Sequence, residues 1–168
     1  EAVRWAKDKR NAKILAITNI VGSSLTRYSD YVIVTRAGPE IGVAATKTFM
    51  VQLTSLAQIA LAAGKIGSFI DNEVFSQKRE SLDRLPDIVS KVIATQEAPA
   101  RQIASEYYVH PSMLFLGRGI SMATAYEGAL KLKEIAYNHA EGYSAGESKH
   151  GPIALVQDGY PVIFVGPN

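Results

Sequence analysis

Three charged side chains share one side of a predicted helix in the segment EGALKLKEIAYN, residues 127–138. At about 100° of rotation per residue, four polar side chains fall within roughly 80° of one another: Glu127, Lys131, Glu134 and Asn138. The rest of the helix surface is mostly apolar, the reverse of an ordinary surface helix. We therefore expect this helix to be mostly buried, with its charges facing a cavity or an interface. Spacing alone leaves a second interpretation, ordinary helical ion pairs that each contribute about a few tenths of a kcal/mol.

A second polar group follows in the loop between Gly146 and Gly151, where Glu147, Lys149 and His150 stand close together. A carboxylate on a buried helix has a raised pKa unless it is paired, and such a group suits a general base near neutral pH. A loop histidine suits a second proton transfer. Together these groups fit aldose–ketose isomerisation, in which a proton beside a carbonyl is removed and returned one carbon away.

Composition excludes several classes of protein. The chain has 168 residues, a formal net charge of +2 and no cysteine. Without cysteine there is no disulfide framework, thiolate metal site or cysteine nucleophile in the chain, and we expect a reducing, cytoplasmic setting. The Lys and Arg residues are scattered, so nucleic-acid binding is not predicted.

The remaining motifs do not indicate a metal or a cofactor. His110, His139 and His150 lack the spacing of zinc ligands. Gly117 and Gly119 begin a GxGxxG pattern, but Met122 stands in the place of its third glycine, so a dinucleotide site is not predicted. The most apolar stretch, VQLTSLAQIALAAG, is interrupted by two glutamines. We expect it to be too short and too polar to cross a membrane.

Alternating strand and helix patterns predict an α/β protein with parallel, doubly wound sheets. Short apolar runs indicate strands at 13–18, 31–35, 112–117 and 161–165. A long helix is predicted over 43–63 with Gly64 ending it, and residues 65–111 read as a helical connector. We expect a helix cap near Ser23 or Ser24, another at Ser121, and a loop from Asn138 to Pro152 with at most a turn of helix.

Two strings carry a resemblance to a known family. AYEGALKLKEIAYNHAEGYSAGESKHGPIAL (125–155) and AGPEIGVAATKTF (37–49) closely resemble the isomerase domain of the glucosamine-6-phosphate synthase family. That resemblance implies two nested sugar-isomerase (SIS) units, each a five-stranded parallel sheet flanked by helices in a Rossmann-like three-layer arrangement. This chain would hold part of each: residues 1–78 from the first unit, and residues 79–168 as connector helices and part of the second.

The resemblance also implies roles for particular residues. Glu134 matches the base that moves a proton between C1 and C2, and His150 matches a histidine that assists ring opening from the partner subunit, which makes the active unit a dimer. Lys131 and Glu127 match residues lining the same pocket. The backbone at Val43 and the residue at position 45 match positions close to the sugar, although relatives often have serine where this chain has Ala45.

The implied reaction converts fructose 6-phosphate and glutamine-derived ammonia to glucosamine 6-phosphate, without a cofactor. A glutaminase domain, a phosphate-binding loop and a tail lysine are expected outside this chain, whose ends we interpret as cuts through a larger protein. We expect the piece alone to be weakly active or inactive. The alternatives are a phosphosugar-binding regulator of the SIS fold and a phosphosugar deglycase or isomerase. The presence of both Glu134 and His150 favours the enzyme, since a regulator needs no base.

Overall fold

The computed structural model describes residues 1–166 and divides into two compact units, one spanning Glu1–Ser90 and the other beginning at Lys91. The predicted boundary between residues 78 and 79 separates the two SIS units, and it stays a prediction. Residues 167–168 of the predicted second unit lie outside the described residues. The elements are α1 (Ala2–Arg10), β1 (Leu15–Thr18), α2 (Ser24–Tyr28), β2 (Tyr31–Val34), α3 (Lys47–Ile66), α4 (Asn72–Asp83), α5 (Leu85–Tyr107), β3 (Ser112–Gly117), α6 (Ser121–Ala136), β4 (His139–Ser144) and β5 (Val162–Val165), with 3-10 turns at Glu147–His150 and Pro152–Leu155.

The first unit contains a two-stranded parallel sheet. β1 pairs with β2 in parallel, with Ile17 opposite Ile33. Asp30 fastens the start of this pair, because its carboxylate accepts a hydrogen bond of 2.8 Å from the backbone N–H of Ile14. That hydrogen bond is the main cause of the lowered pKa of Asp30, and nearby Lys7 adds to it. Because Thr18 pairs with Val34, the two strands end together, at the edge of the sheet where the loops after these residues begin.

The second unit contains a three-stranded parallel sheet in the order β4-β3-β5. Central strand β3 is its most buried element, with Leu114 only 1% exposed. Phe115 stands opposite Gly142 on one side and Ile163 on the other. Helix α6 follows β3 and packs on the face of the sheet that carries Phe115 and Gly142, since both residues closely approach α6.

The predicted α/β class with parallel sheets is confirmed, and each predicted strand contains an observed one. One strand was missed. β4 lies in the segment predicted as a loop, and it pairs with β3 from Ser112↔His139 to Gly117↔Ser144. Its sequence, HAEGYS, has no apolar run, because it is an edge strand on which only Ala140 is buried.

Three helix predictions need correction. α3 begins at Lys47 rather than Val43, and it continues through Gly64 to Ile66, with Gly67 at its end. Ser121 is the first residue of α6 rather than its cap. α6 is not mostly buried: only Ser121, Ala125 and Ala129 are, because its contact with the sheet uses small side chains. The predicted cap of α2 is confirmed at Ser23, whose side chain accepts a hydrogen bond from the N–H of Thr26.

Helix α3 also changes the expectation about membranes. With 20 residues, none of them buried, it is long and apolar enough to cross a membrane by length and composition. The prediction that this stretch is too short and too polar is therefore wrong, because the helix continues past the apolar run at both ends. One helix of this kind is weak evidence, so the observation does not by itself indicate a membrane.

Candidate active site

The charged stripe on α6 forms a bridged triad. Lys131 Nζ lies 2.7 Å from Glu134 Oε2 and 3.2 Å from Glu127 Oε1. All three side chains are partly shielded, between 21% and 27% exposed. The predicted juxtaposition of these residues is thus observed, since residues three and four apart are neighbours on a helix.

The bridge defines the protonation state of Lys131. Its hydrogen bond to Glu134 raises the pKa of Lys131, Glu127 raises it further, and partial burial opposes both effects. Lys131 therefore remains an ammonium at neutral pH and donates to carboxylates one turn away on either side. A carboxylate held beside a fixed cation can accept a proton from a carbon acid, while the ammonium compensates negative charge that develops on a neighbouring oxygen.

Glycines allow the sheet to approach the start of α6 closely. A Cβ on Gly117 would lie 2.7 Å from the backbone N of Met122, and one on Gly142 would lie 3.0 Å from Cα of Tyr126. Gly119 has φ +57°, a left-handed conformation that turns the chain from β3 into α6. Backbone-to-backbone packing therefore holds the first two turns of α6, the helix that carries the stripe, close to the sheet.

Asn138 does not belong to the stripe. The helix ends at Ala136, and Tyr137 has the left-handed φ of 59° typical of a helix end. The side-chain amide of Asn138 instead donates to the carbonyl oxygen of His110 at 2.7 Å. The prediction placed Asn138 with the charges because it assumed that helical rotation continued past residue 136.

A cavity of about 790 Å³ in the same unit lies on another side of α6. It is lined mostly by apolar side chains of α5, β3 and β5, and α6 contributes Leu132 and Ala136. These positions are more than about 90° of helical rotation from the charged stripe. The prediction that the charges face a cavity does not hold for this one.

The loop histidine is held in a short turn. Glu147–His150 forms a 3-10 turn in which Ser148 is buried and donates to the carbonyl oxygen of Ala145 at 2.8 Å. The other three side chains, Glu147, Lys149 and His150, are exposed. Within residues 1–166, no hydrogen bond or ion pair joins His150 to the α6 triad. The predicted involvement of His150 stays a prediction.

Val43 and Ala45 belong to the first unit, in the loop between β2 and α3. Val43 is 87% exposed and Ala45 is exposed as well, whereas Ala44 between them is buried. Their predicted contact with substrate also stays a prediction. The loop itself is held by Glu40 and Asn19, which the sequence did not single out.

A further polar cluster on β4 was also missed. Tyr143 donates to Glu141 Oε2 at 2.7 Å, and His139 Nε2 lies 3.1 Å from the other oxygen. The Tyr143 hydrogen bond, with His139, lowers the pKa of Glu141. Alternation of polar residues at 139, 141 and 143 with small ones between them was the available signal for an edge strand. Across residues 1–166, no group of three His, Asp or Glu side chains is placed to hold a metal ion.

Residues 1–62 and 106–168 match the SIS domain family, and the chain belongs to that family. A glutamine–fructose-6-phosphate aminotransferase (isomerizing) from Pyrobaculum aerophilum is 51% identical over 95% of this chain and 26% of its own length. The protein of the same name from Mycolicibacterium paratuberculosis is 51% identical over 100% of this chain and 27% of its own length.

A solved structure agrees with these relatives. The C-terminal domain of glucosamine-fructose-6-phosphate aminotransferase from Francisella tularensis superposes with a TM-score of 0.95 at 39% identity, covering 99% of this chain and 47% of that one. The chain therefore spans about a quarter of the length of the curated relatives and about half of that solved domain.

Proposed function

We propose that this chain is part of the isomerase domain of a glutamine–fructose-6-phosphate aminotransferase, which makes glucosamine 6-phosphate from fructose 6-phosphate and glutamine-derived ammonia. The observation that carries the proposal is the Glu127–Lys131–Glu134 bridge, with Lys131 Nζ 2.7 Å from Glu134. The similarity to proteins with that name supports it over the whole chain.

Each predicted residue has a role in this proposal. Glu134 takes a proton from C1 of the open-chain sugar and returns it to C2, and Lys131 fixes the orientation of that carboxylate. Glu127 holds Lys131 from the other side, and His150 assists ring opening. Val43 and Ala45 contact the sugar.

The wider context belongs to the same proposal. The parent chain carries a glutaminase domain ahead of this segment, acts as a cytoplasmic homodimer and needs no cofactor, membrane or nucleic acid. Residues 1–78 and 79–168 belong to successive SIS units.

Proton exchange at the sugar tests the base directly. A full-length polypeptide carrying this sequence is incubated with glucose 6-phosphate in deuterated water, and loss of the C2 proton is followed by NMR. Exchange is expected in the parent, with a fall of about two orders of magnitude in Glu134→Gln. Glu97→Gln is the matched control, because it removes a carboxylate from an exposed helical ion pair with Arg101. Sugar-phosphate binding without exchange in the parent would instead identify a phosphosugar-binding regulator.

A further inference from the structure

The loop between β2 and α3, residues 36–46, is held at both ends by side chains that the proposed chemistry does not use. We call these residues the Val43 loop. Asn19, at the end of β1, fastens its beginning: Asn19 Oδ1 accepts from the backbone N–H of Ala37 at 2.8 Å, and Asn19 Nδ2 donates to the carbonyl oxygen of Gly38 at 2.6 Å. One amide side chain therefore fixes both a donor and an acceptor of the loop backbone.

Glu40 fastens the other end. Its Oε1 accepts from Thr46 Oγ1 at 3.1 Å, and its Oε2 accepts from the backbone N–H of Thr48 at 3.2 Å and from the Thr48 hydroxyl. Lys47 Nζ lies 3.6 Å from Glu40 and also donates to the carbonyl oxygen of Pro39. The hydrogen bonds from Thr48 and Thr46, of which that from the Thr48 side chain is the largest cause, lower the pKa of Glu40 to about 2. Glu40 is therefore ionised throughout the neutral range.

This network is more extensive than an ordinary helix cap. Helices α2 and α4 are capped by Ser23 and Asp71, and each cap side chain accepts from a backbone N–H three residues ahead. Glu40 instead reaches forward six to eight residues to the first turn of α3. It therefore closes a loop as well as capping a helix.

The middle of the Val43 loop is held by little packing, that of Ala44. Ile41 is 95% exposed and Val43 is 87% exposed, while Ala44 is buried. Since few apolar contacts restrain these residues, the polar anchors at either end determine the path of their backbone. A backbone held in one path without burying its side chains is preorganised for contact with a ligand.

We propose that Glu40 and Asn19 are positioning residues that hold the backbone of the Val43 loop where it meets a hexose phosphate. The inference rests on the proposed function for the identity of the sugar. Loss of Glu40 would release the end of the loop nearest Val43 and Ala45, so sugar binding would weaken while the α6 base remained intact.

The test compares Glu40→Ala and the conservative Glu40→Gln with Asp71→Ala in a full-length polypeptide. Asp71→Ala is the matched control, because it also removes a carboxylate that caps a helix of the same unit, outside the Val43 loop. Hydrogen exchange of the Thr48 amide, which donates to Glu40, reports the release of the loop end. The Kd for fructose 6-phosphate measures sugar binding, and KM and kcat measure turnover.

In Glu40→Ala we expect faster exchange of the Thr48 amide and a rise of about tenfold or more in Kd and KM, with a smaller change in kcat, as for a displaced positioning group. Glu40→Gln should show a smaller rise, since its amide oxygen still accepts a hydrogen bond. Asp71→Ala should leave Kd and KM unchanged. Faster exchange with an unchanged Kd would overturn the proposal, as would unchanged exchange. Absence of turnover in the parent would refute the proposed function, and the Kd comparison would still decide the role of Glu40.

Discussion

Replacing Gly142 by alanine should disturb the packing between the sheet and α6, the helix that carries Glu134. The added Cβ would lie 3.0 Å from Cα of Tyr126 and 3.2 Å from its Cε1. Unstrained carbon–carbon contacts lie at about 3.5–4.0 Å, so α6 would have to move by roughly 0.5 Å or more. The nearest main-chain atom belongs to the helix and cannot rotate away.

The expected cost follows from that overlap. Overpacking of this kind destabilises a protein by about 1–3 kcal/mol, which corresponds to a fall in Tm of roughly 2–12 °C for a domain of about 150–250 residues and to a smaller fall in a longer one. A displacement of about 1 Å at a reacting group can reduce turnover by about a hundredfold, so a shift of about half that size is expected to reduce turnover by roughly tenfold. We therefore expect both a lower Tm and slower C2 proton exchange.

The assay is thermal unfolding of a full-length polypeptide together with proton exchange, with Gly146→Ala as the control. Gly146 lies four residues further along the chain and has φ −67° and ψ −38°. No atom lies within 4 Å of a Cβ built there. Alanine fits that conformation, so the control should change stability by less than about 0.5–1 kcal/mol. Equal Tm values and exchange rates in the two variants would refute the packing argument.

Two further predictions concern single hydrogen bonds. Tyr143→Phe removes the main cause of the lowered pKa of Glu141, so that pKa should rise toward about 4.3 in a ¹³C NMR titration. Because the folded-state pKa is lowered, the stabilisation from Glu141 is present above about pH 4.3 and lost as pH falls through the folded value, and the variant should lose less stability over that acid range. An unchanged pKa would exclude the Tyr143 hydrogen bond as its cause. Ala45→Ser adds a hydroxyl at a proposed sugar contact and should lower KM for fructose 6-phosphate about two- to tenfold in initial-rate assays; an equal or higher KM would contradict that contact.

The strands that were predicted from the sequence are those that contain a continuous apolar run. β3 and β5 read SMLFLG and VIFV, which is typical of strands covered on both faces. β4 has the sequence HAEGYS. It forms a strand because it pairs with β3, and its small residues allow α6 to pack closely against it. Such tertiary pairing cannot be inferred from local composition.

Part of the site was predictable from the sequence because it depends only on local helix geometry. The Glu127–Lys131–Glu134 bridge follows from helical geometry alone, because residues three and four apart are always neighbours on a helix. The same reasoning was wrong for Asn138, because the left-handed Tyr137 ends the helix before that residue. The contacts of Glu40 with Thr46 and Thr48 depend on the path of a loop, which no periodicity encodes.

Glu134 is the proposed base for isomerisation, and C2 proton exchange in deuterated water tests that role. Exchange is expected in the full-length parent and in Glu97→Gln, with a fall of about a hundredfold in Glu134→Gln and sugar-phosphate binding retained. Exchange in Glu134→Gln at the parent rate would contradict it, and would mean that the bridged carboxylates of α6 serve only to stabilise the helix.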